Sequence, residues 1–178
     1  MRAFLAIIPP EEIKEELSRI THGIPGVKWK NPETFHLTLQ FLGEISEEIT
    51  TNLNERISCI KFEPFTVNFH SVGFFHSAKG GYTIWTGVDK NPSLISLYDS
   101  IQKIVNLLQL KTGSKDFIPH LTIGKTYNWN FTRWDYYFET YREFKSLEFG
   151  VQEFHLFSSE LKPSGAIYTI EKTFVANP

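Results

Sequence analysis

The order of the predicted elements indicates an α+β fold with mainly antiparallel strand pairing. Short runs rich in β-branched and aromatic residues are mixed with amphipathic segments of helical period. Their order lacks the regular strand–helix–strand repetition that a parallel sheet requires. Two pairs of strand-like segments are also separated by short loops containing Gly or Pro, which is typical of hairpins. These pairs are 65–75 with 82–88, and 147–161 with 166–174.

The chain begins with a predicted strand and a predicted helix. Residues 2–8 are an apolar run that ends at two prolines, a pattern typical of a buried strand. Pro10 suits the first turn of a helix, and the acidic residues after it favour a helix N-terminus. The apolar residues of this helix recur at helical spacing: Ile13, Leu17 and Ile20. Residues 27–30 then predict an edge strand.

Residues 34–43 alternate between apolar and polar side chains, as expected for a strand with one buried face. The core face is predicted to hold Phe35, Leu37, Leu39 and Phe41. The other face, turned toward solvent or a cleft, is predicted to hold His36, Thr38 and Gln40. Such a polar face is typical of the wall of a binding groove.

Two helices and a hairpin are predicted in the middle of the chain. Ser46 is a good N-cap for a helix that extends through about residue 58. The hairpin of 65–75 and 82–88 turns at Lys79, Gly80 and Gly81. The longest helix covers roughly 92–110. Its predicted buried stripe contains Leu94, Leu97, Ile101, Ile104, Val105 and Leu108.

The last third of the chain begins with a predicted loop at 111–117. Residues 118–127 predict a strand whose Leu121 and Ile123 face the core. Residues 131–145 are aromatic and charged, and a helix is predicted there. The final hairpin turns across Lys162, Pro163, Ser164 and Gly165.

One tetrapeptide occurs twice, as His36-Leu37-Thr38-Leu39 and as His120-Leu121-Thr122-Ile123. Residues i and i+2 of a strand point to one face, so each copy presents a His and a Thr together. A titratable imidazole beside a hydroxyl donor suits acid–base chemistry on an anion. A single copy would be explained more simply as a half-buried strand with a hydrogen-bonded core His. Two copies, one in each half of the chain, predict a site on an internal two-fold.

The composition excludes several classes of protein. Apolar residues make up 41% of the chain and aromatic residues 15%, which is typical of a globular protein. The formal net charge of −2 argues against a long electrostatic track along nucleic acid, although a pocket for one terminal nucleotide is compatible with it. Cys59 is the only cysteine, so neither an intrachain disulfide nor a Cys-based metal cluster is expected. The first apolar run is too short for a signal peptide or a membrane span, so we expect a cytoplasmic protein without membrane partners.

The chain resembles the two-histidine phosphoesterases, and within them the RNA 2′,3′-cyclic phosphodiesterases that are also called 2′-5′ RNA ligases. The resemblance rests on both His-x-Thr-aliphatic motifs and their flanks, and it covers nearly the whole chain. The matching segments are RAFLAIIPP, FHLTLQFLGEI, YTIWTGV, IPHLTIGK and LFSSELKPSGAIYTI. It implies that residues 1–178 form a single domain with two pseudo-symmetric lobes of mainly antiparallel sheet flanked by helices. It also implies that one motif from each lobe faces a shared active-site cleft.

The resemblance further implies hydrolysis of 2′,3′-cyclic phosphate ends of RNA to 2′-phosphates, without a metal or other cofactor. Opening the ring needs a base and an acid on opposite sides of phosphorus. The resemblance assigns His36 as the proton donor to the leaving oxygen and His120 as the proton acceptor from water. The residues alone leave these two roles exchangeable. Thr38 and Thr122 would donate hydrogen bonds to the non-bridging phosphate oxygens.

One position departs from the family pattern. After the second motif many relatives carry Arg, whereas this chain has Lys125. Lysine supplies charge to a phosphate without the planar, two-pronged contact of a guanidinium. We therefore expect Lys125 either to contact the phosphate or to be a solvated surface charge.

Several other functions are compatible with the motifs. The same histidines would serve the reverse reaction, which joins RNA ends through a 2′-5′ bond. Cleavage of 2′-5′ oligonucleotides or of small cyclic nucleotides is a second enzymatic alternative, and a non-catalytic nucleotide- or RNA-binding protein is a third. A metal site at the two histidines is disfavoured because neither has a carboxylate or Cys at ligand-like spacing. The expected partners are RNA 3′ ends or nucleotides with a 2′,3′-cyclic phosphate, and a monomer is favoured.

Residues outside the motifs are expected to have mainly structural roles. Four histidines have no Thr two residues later and are predicted to be structural: His22, His70, His76 and His155. Trp29, Phe41 and the aromatic residues of 131–141 are candidates for stacking on a nucleobase.

Overall fold

A computed structural model describes residues 1–77, 80–110, 116–127, 131–163 and 165–177. Within these ranges the chain forms ten strands, four α-helices and one 3₁₀ turn, Pro32–Thr34. The strands are β1 (Arg2–Ile7), β2 (Lys28–Trp29), β3 (Leu37–Glu44), β4 (Phe65–Val67), β5 (Phe69–His76), β6 (Tyr82–Val88), β7 (His120–Thr126), β8 (Phe149–Val151), β9 (Glu153–Lys162) and β10 (Gly165–Val175). The helices are α1 (Glu11–Ser18), α2 (Glu47–Ile57), α3 (Pro92–Leu107) and α4 (Phe131–Thr140).

These elements confirm most of the element order predicted from the sequence, and the differences are in their bounds. The predicted strand 65–75 is divided into β4 and β5, and the predicted strand 147–161 into β8 and β9. The helices predicted over 92–110 and 131–145 end at Leu107 and Thr140. Ser46 caps α2 as predicted, since its side chain accepts a hydrogen bond from the Ile49 N–H. Lys79, Ser164 and residues 111–115 of the predicted loop lie outside the described residues.

The main sheet has eight strands, and all of its pairings are antiparallel. Seven strands follow the order β10-β9-β1-β3-β7-β6-β5, and the short β2 pairs with β7 beside β3. β4 and β8 form a separate two-stranded sheet. This confirms the predicted α+β class with antiparallel pairing. β3, which begins at the second residue of the first tetrapeptide, and β7, which contains the second tetrapeptide, are neighbours at the centre of the sheet.

The four helices pack against one face of the sheet. A single contiguous core contains buried side chains from every helix together with strand residues such as Leu5, Leu37 and Leu121. The predicted core residues Leu39 and Ile123 belong to it. A second, smaller cluster on the opposite face contains Phe4, Ala6 and Phe157, with Ile8 and Tyr168 packed against it. The face without helices therefore also has a buried hydrophobic cluster. The motif histidines lie on this face.

Candidate active site

The two tetrapeptides meet at the centre of the sheet. Leu37 of β3 pairs with Leu121 of β7, and this is the pairing recorded between the two strands. Continuing that antiparallel register places His36 opposite Thr122 and Thr38 opposite His120. All four polar side chains lie on the face opposite the core, because both leucines are fully buried in the core. The structure thus brings together the four motif residues that the sequence singled out.

Both histidines are held in the same way by the backbone. Nδ1 of His36 donates to the carbonyl oxygen of Thr34 at 2.7 Å, and Nδ1 of His120 donates to that of Ile118 at 2.7 Å. A carbonyl oxygen can only accept, so Nδ1 carries the proton in each ring. The Nε2 atom of each neutral imidazole is left with a lone pair that can accept a proton. The two histidines therefore have the same backbone hydrogen bond and the same tautomer, as expected for two residues related by the internal two-fold.

A matched β-bulge lies at the last residue of each motif. Leu5 pairs with Gln40 and Ala6 with Thr38, so Leu39 is an extra residue on β3. Ile84 pairs with Gly124 and Trp85 with Thr122, so Ile123 is an extra residue on β7. In both strands the bulge falls on the fourth residue of the tetrapeptide. Beyond it, the assignment of side chains to the two faces of the sheet is reversed relative to strict alternation.

The first bulge moves Phe41 out of the core, where alternation had placed it. Phe41 is 61% exposed, and its ring lies 6.1 Å from that of Phe4 on the motif face. Gln40, predicted for the polar face, is instead buried. The prediction was wrong for both residues, because a bulge inserts one residue and exchanges the faces of the residues that follow.

The second bulge brings Lys125 to the motif face. A Cβ atom added at Gly124 would lie 2.8 Å from Cε3 of Trp29, whose ring packs against the core. Gly124 therefore faces the core, and its neighbour Lys125 faces the same side as His120 and Thr122. Lys125 is exposed there. Lys125 is therefore an exposed charge on the same face as the motif residues, and its contact with a phosphate stays a prediction.

Aromatic rings surround His36. The centre of the Phe4 ring lies 4.9 Å from that of the imidazole, and the Tyr168 ring lies 5.2 Å away and nearly perpendicular to it. Burial among these groups is the main cause that lowers the pKa of His36 to about 4. The positive charges of Lys30 and of protonated His120 lower this pKa further, whereas the hydrogen bond to Thr34 raises it. At neutral pH the His36 imidazole of the free protein is uncharged.

His120 lies against the other half of the sheet. The ring of Phe75 stands edge-on at 5.0 Å, and the indole of Trp85 lies 6.2 Å away. Burial lowers the pKa of His120, and the hydrogen bond to Ile118 opposes that shift. The indole of Trp85 lies directly over Gly73, where an added Cβ would be 2.4 Å from the ring. Gly73 is thus required for Trp85 to lie against the sheet beside His120.

Lys30 is a residue near the site that the sequence analysis did not single out. Its backbone N–H donates to the carbonyl oxygen of Ile123 at 2.9 Å, and its Nζ lies 5.7 Å from the centre of the Tyr168 ring. Partial burial is the first cause that lowers the pKa of Lys30, followed by the charge of Lys28. The only feature of the sequence that could have indicated Lys30 is its position six residues before His36.

The other histidines have partners within the protein. His155 is buried, its Nδ1 lies 2.9 Å from the Thr173 hydroxyl, and its Nε2 lies 3.6 Å from Glu153. Nε2 of His70 lies 3.4 Å from Asp89. His22 contacts the Tyr141 hydroxyl at 3.3 Å, and the ring of His76 lies 5.0 Å from that of Tyr82. These contacts fit the structural roles predicted for all four.

Two surface grooves lie outside the motif residues. One, of about 680 Å³, runs between β5 and α4 and is lined by residues such as Gly73, Trp85 and Arg142. The other, of about 780 Å³, runs along α3 as far as Ile118 and Pro119. In the described part of the chain, no three His, Cys, Asp or Glu side chains lie close enough together to hold a metal ion. None of the described helices has both the length and the apolar character that a membrane crossing requires.

The chain is similar in sequence to proteins named RNA 2′,3′-cyclic phosphodiesterase. The protein of that name from Archaeoglobus fulgidus is 34% identical, with 98% of this chain and 99% of the relative covered. The one from Methanocaldococcus jannaschii is 31% identical, with 97% and 99% covered. The one from Thermotoga maritima is 30% identical, with 96% and 92% covered.

Solved structures show the same fold. A crystal structure from Thermus thermophilus has a TM-score of 0.79 at 27% identity and covers 98% of this chain and 97% of its own. E. coli LigT complexed with 3′-AMP has a TM-score of 0.78 at 24% identity and covers 99% and 98%. At that identity the likeness to LigT concerns the fold alone.

One family model matches the two halves of the chain separately, in agreement with the internal two-fold of the sheet. The family described as LigT like phosphoesterase matches residues 7–85 and, a second time, residues 87–168. Each match contains one tetrapeptide, so each half of the chain supplies one His and one Thr to the centre of the sheet. Together with relatives that are 30–34% identical over nearly the full length, these two matches show that the chain belongs to the LigT-like phosphoesterase family.

Proposed function

We propose that this chain is an RNA 2′,3′-cyclic phosphodiesterase, which hydrolyses cyclic phosphate ends to 2′-phosphates with His36 and His120 as acid and base. The observation that carries the proposal is the matched pair of imidazoles. Both are anchored through Nδ1 to a backbone carbonyl at 2.7 Å and have Nε2 available for proton transfer. The names of the relatives from three organisms agree with this activity.

The register of β3 and β7 leaves room for one phosphate between the histidines. His36 and His120 are diagonal neighbours across the Leu37–Leu121 pair. Diagonal neighbours in an antiparallel pair are separated by roughly 7–8 Å at their Cβ atoms. An anion bound over the two leucines would have one imidazole on each side, as in-line displacement at phosphorus requires.

In the proposed reaction each imidazole takes part in one proton transfer. Water attacks phosphorus, and Nε2 of His120 takes the proton that the water loses. The bond from phosphorus to the ribose 3′ oxygen breaks, and Nε2 of protonated His36 donates its proton to that oxygen. The product is a 2′-phosphate. Each imidazole changes protonation state once, and exchange with solvent restores both.

His36 can act as an acid only if the substrate raises its pKa. In the free protein burial lowers that pKa to about 4. The negative charge of a cyclic phosphate beside the ring favours the protonated imidazolium and opposes the effect of burial. We therefore propose that substrate binding is coupled to uptake of a proton by the site.

The remaining motif residues would stabilise the charge on phosphorus. Thr38 and Thr122 lie on the motif face, each opposite a histidine, and can donate hydroxyl hydrogen bonds to the non-bridging oxygens. Lys125 lies on the same face, beyond the second bulge, and adds positive charge beside that phosphate. With two imidazoles and these donors, the reaction needs no metal or other cofactor.

A chelator assay tests this function. A nucleoside 2′,3′-cyclic phosphate is incubated with the purified protein in excess EDTA, and the product is identified by ³¹P NMR. Formation of the 2′-phosphate supports the proposal. Loss of turnover in EDTA would indicate a metal-dependent hydrolase, and binding without turnover would indicate a non-catalytic nucleotide-binding protein. A 3′-phosphate product would show that the assigned leaving oxygen is wrong.

We also propose that the chain is a single two-lobed domain, a monomer and a cytoplasmic protein. The one pairing between β3 and β7 at the centre of the sheet supports a boundary between two lobes there. Size-exclusion chromatography with light scattering measures the oligomeric state. A mass twice that of the 20.7 kDa chain would contradict the monomer.

A further inference from the structure

Three lysines lie side by side on the face that carries the motif residues. Lys28 of β2 pairs directly with Lys125 of β7, and Trp29 pairs with Gly124. Directly paired residues share a face of the sheet. Since Trp29 and Gly124 face the core, Lys28 and Lys125 face the opposite side, where the motif residues lie. Lys30 follows two residues after Lys28 and shares its face.

Lys30 connects this group of lysines to both motifs. Its backbone is hydrogen-bonded to Ile123, the last residue of the second tetrapeptide. Its ammonium lies over the ring of Tyr168, and the centre of that ring lies 5.2 Å from the centre of the His36 imidazole. The charge of Lys30 is close enough to His36 to lower the pKa of that imidazole. Lys30 therefore lies beside the phosphate position assigned above, and Lys28 lies two residues further from it along β2.

These lysines have no carboxylate partner among the residues that the structure describes. The recorded ion pairs of that part of the chain include neither Lys28, Lys30 nor Lys125. Like charges placed directly opposite each other destabilise a sheet, and partial burial of an unpaired ammonium adds to the cost. The chain as a whole carries a net charge of −2, so this local excess of positive charge is not a general property of its surface. An anionic ligand would relieve the repulsion.

We propose that Lys28 and Lys30 form a second anion subsite, which holds the phosphodiester on the 5′ side of the terminal nucleotide while the two histidines act on its cyclic phosphate. This inference rests on the proposed function. It makes the natural substrate an RNA end of at least two nucleotides, because a nucleoside 2′,3′-cyclic phosphate has no second phosphate to place there.

The spacing favours a second phosphate over a further contact to the reacting one. Lys125 is three residues beyond Thr122, and one of these is taken up by the bulge, so the separation along β7 is roughly 7 Å. Lys28 lies beside Lys125, and Lys30 lies between Lys28 and the motifs. This separation is comparable to that between neighbouring phosphates of an extended strand. When the cyclic phosphate of an RNA end lies between the histidines, the phosphodiester on the 5′ side of the terminal nucleotide therefore reaches Lys28 and Lys30.

Binding of the two kinds of product tests the subsite without relying on turnover. Adenosine 2′-phosphate has one phosphate, and ApA with a terminal 2′-phosphate has two. Calorimetric titration of the wild type at several salt concentrations should give about 10-fold tighter binding of the dinucleotide, the size expected from one additional charge-assisted contact. Its salt dependence should also be steeper, because salt screens the additional contact between lysine and phosphate. In the variant Lys28→Met/Lys30→Met the affinity ratio of the two ligands should fall to about one.

Lys61→Met is the matched control, because it removes an exposed lysine after α2, a helix on the opposite face of the sheet. It should keep the wild-type ratio. The subsite is overturned if the wild type binds both ligands equally. It is also overturned if the double variant keeps the ratio, because the lysines would then act on the terminal phosphate. A dinucleotide preference in a protein that hydrolyses no cyclic phosphate would support the subsite and refute the proposed function.

Discussion

Leu37 and Leu121, the second residues of the two tetrapeptides, pair across β3 and β7 and are both fully buried. Because the two residues occupy equivalent positions in the repeated tetrapeptide, their pairing relates the two motifs by an approximate two-fold axis in the structure. The register at this buried pair sets the spacing of His36 and His120 on the other side of the sheet. The pairing of two core residues thereby determines the geometry of the proposed acid and base.

Replacing either motif histidine should remove most of the activity. His36→Ala and His120→Ala should each lower kcat on a nucleoside 2′,3′-cyclic phosphate by at least 100-fold, because general acid and general base catalysis typically contribute 10²–10⁴-fold. His22→Ala is the control, since this exposed histidine contacts Tyr141 and not the motifs. Near wild-type turnover in either motif variant would show that the histidine is not catalytic. Circular dichroism checks that each variant is folded.

Removing one motif hydroxyl should have a somewhat milder effect. Thr38→Val and Thr122→Val keep the shape of the side chain but lose the donor to the phosphate, at a cost of about 2.7 kcal/mol in the barrier, or about 100-fold in kcat. Thr38→Ser and Thr122→Ser keep the hydroxyl and should retain most of the rate. If the valine and serine variants lose the same activity, the hydroxyls do not bind the phosphate. Steady-state kinetics on the same cyclic phosphate decides between these results.

The pH profile of the reaction should show that the pKa values of both histidines lie below their ordinary range in the free protein. The pKa of His36 is lowered to about 4 and that of His120 is also lowered, so kcat/KM should have a bell-shaped profile with its maximum below pH 6.5. The profile of kcat should extend to higher pH, because the bound phosphate favours the imidazolium form. A kcat/KM maximum above pH 7 would contradict this prediction.

The same lowered pKa values should make the fold less stable in acid. A histidine whose pKa is lower in the folded state binds its proton more readily when unfolded, so unfolding is favoured as the pH falls from about 6.5 toward 4. For His36 the loss of unfolding free energy between pH 7.5 and pH 5 should be about 2 kcal/mol. Urea denaturation at the two pH values measures it. The variant His36→Asn should lose that part of the pH dependence, and an unchanged dependence would refute the assignment.

Filling the space under Trp85 should destabilise the second motif. Gly73→Ala places a Cβ atom 2.4 Å from the indole, so the ring must move, at a cost of about 1–3 kcal/mol in the free energy of unfolding. Gly150→Ala is the matched control, because a Cβ there meets nothing within 4 Å. Urea denaturation of both variants tests the prediction. Equal midpoints would show that Trp85 does not rest on Gly73.

The sequence by itself determined the elements and the pair of motifs. Alternation and helical spacing predicted an antiparallel α+β fold, and the repeated tetrapeptide identified His36, Thr38, His120 and Thr122 as one set. These features are local, because they depend on the period of a strand or a helix and on residue types two positions apart. The predicted burial of Leu121 and Ile123 was correct for the same reason.

The tertiary structure decided which side chains join that set. A bulge at the last residue of each motif turned Phe41 out of the core and brought Lys125 to the motif face. A bulge is a mismatch in length between two paired strands, so no period within one strand reveals it. The placement of Lys28 and Lys30 beside the site depends likewise on the pairing of β2 with β7, a contact between segments nearly a hundred residues apart in sequence.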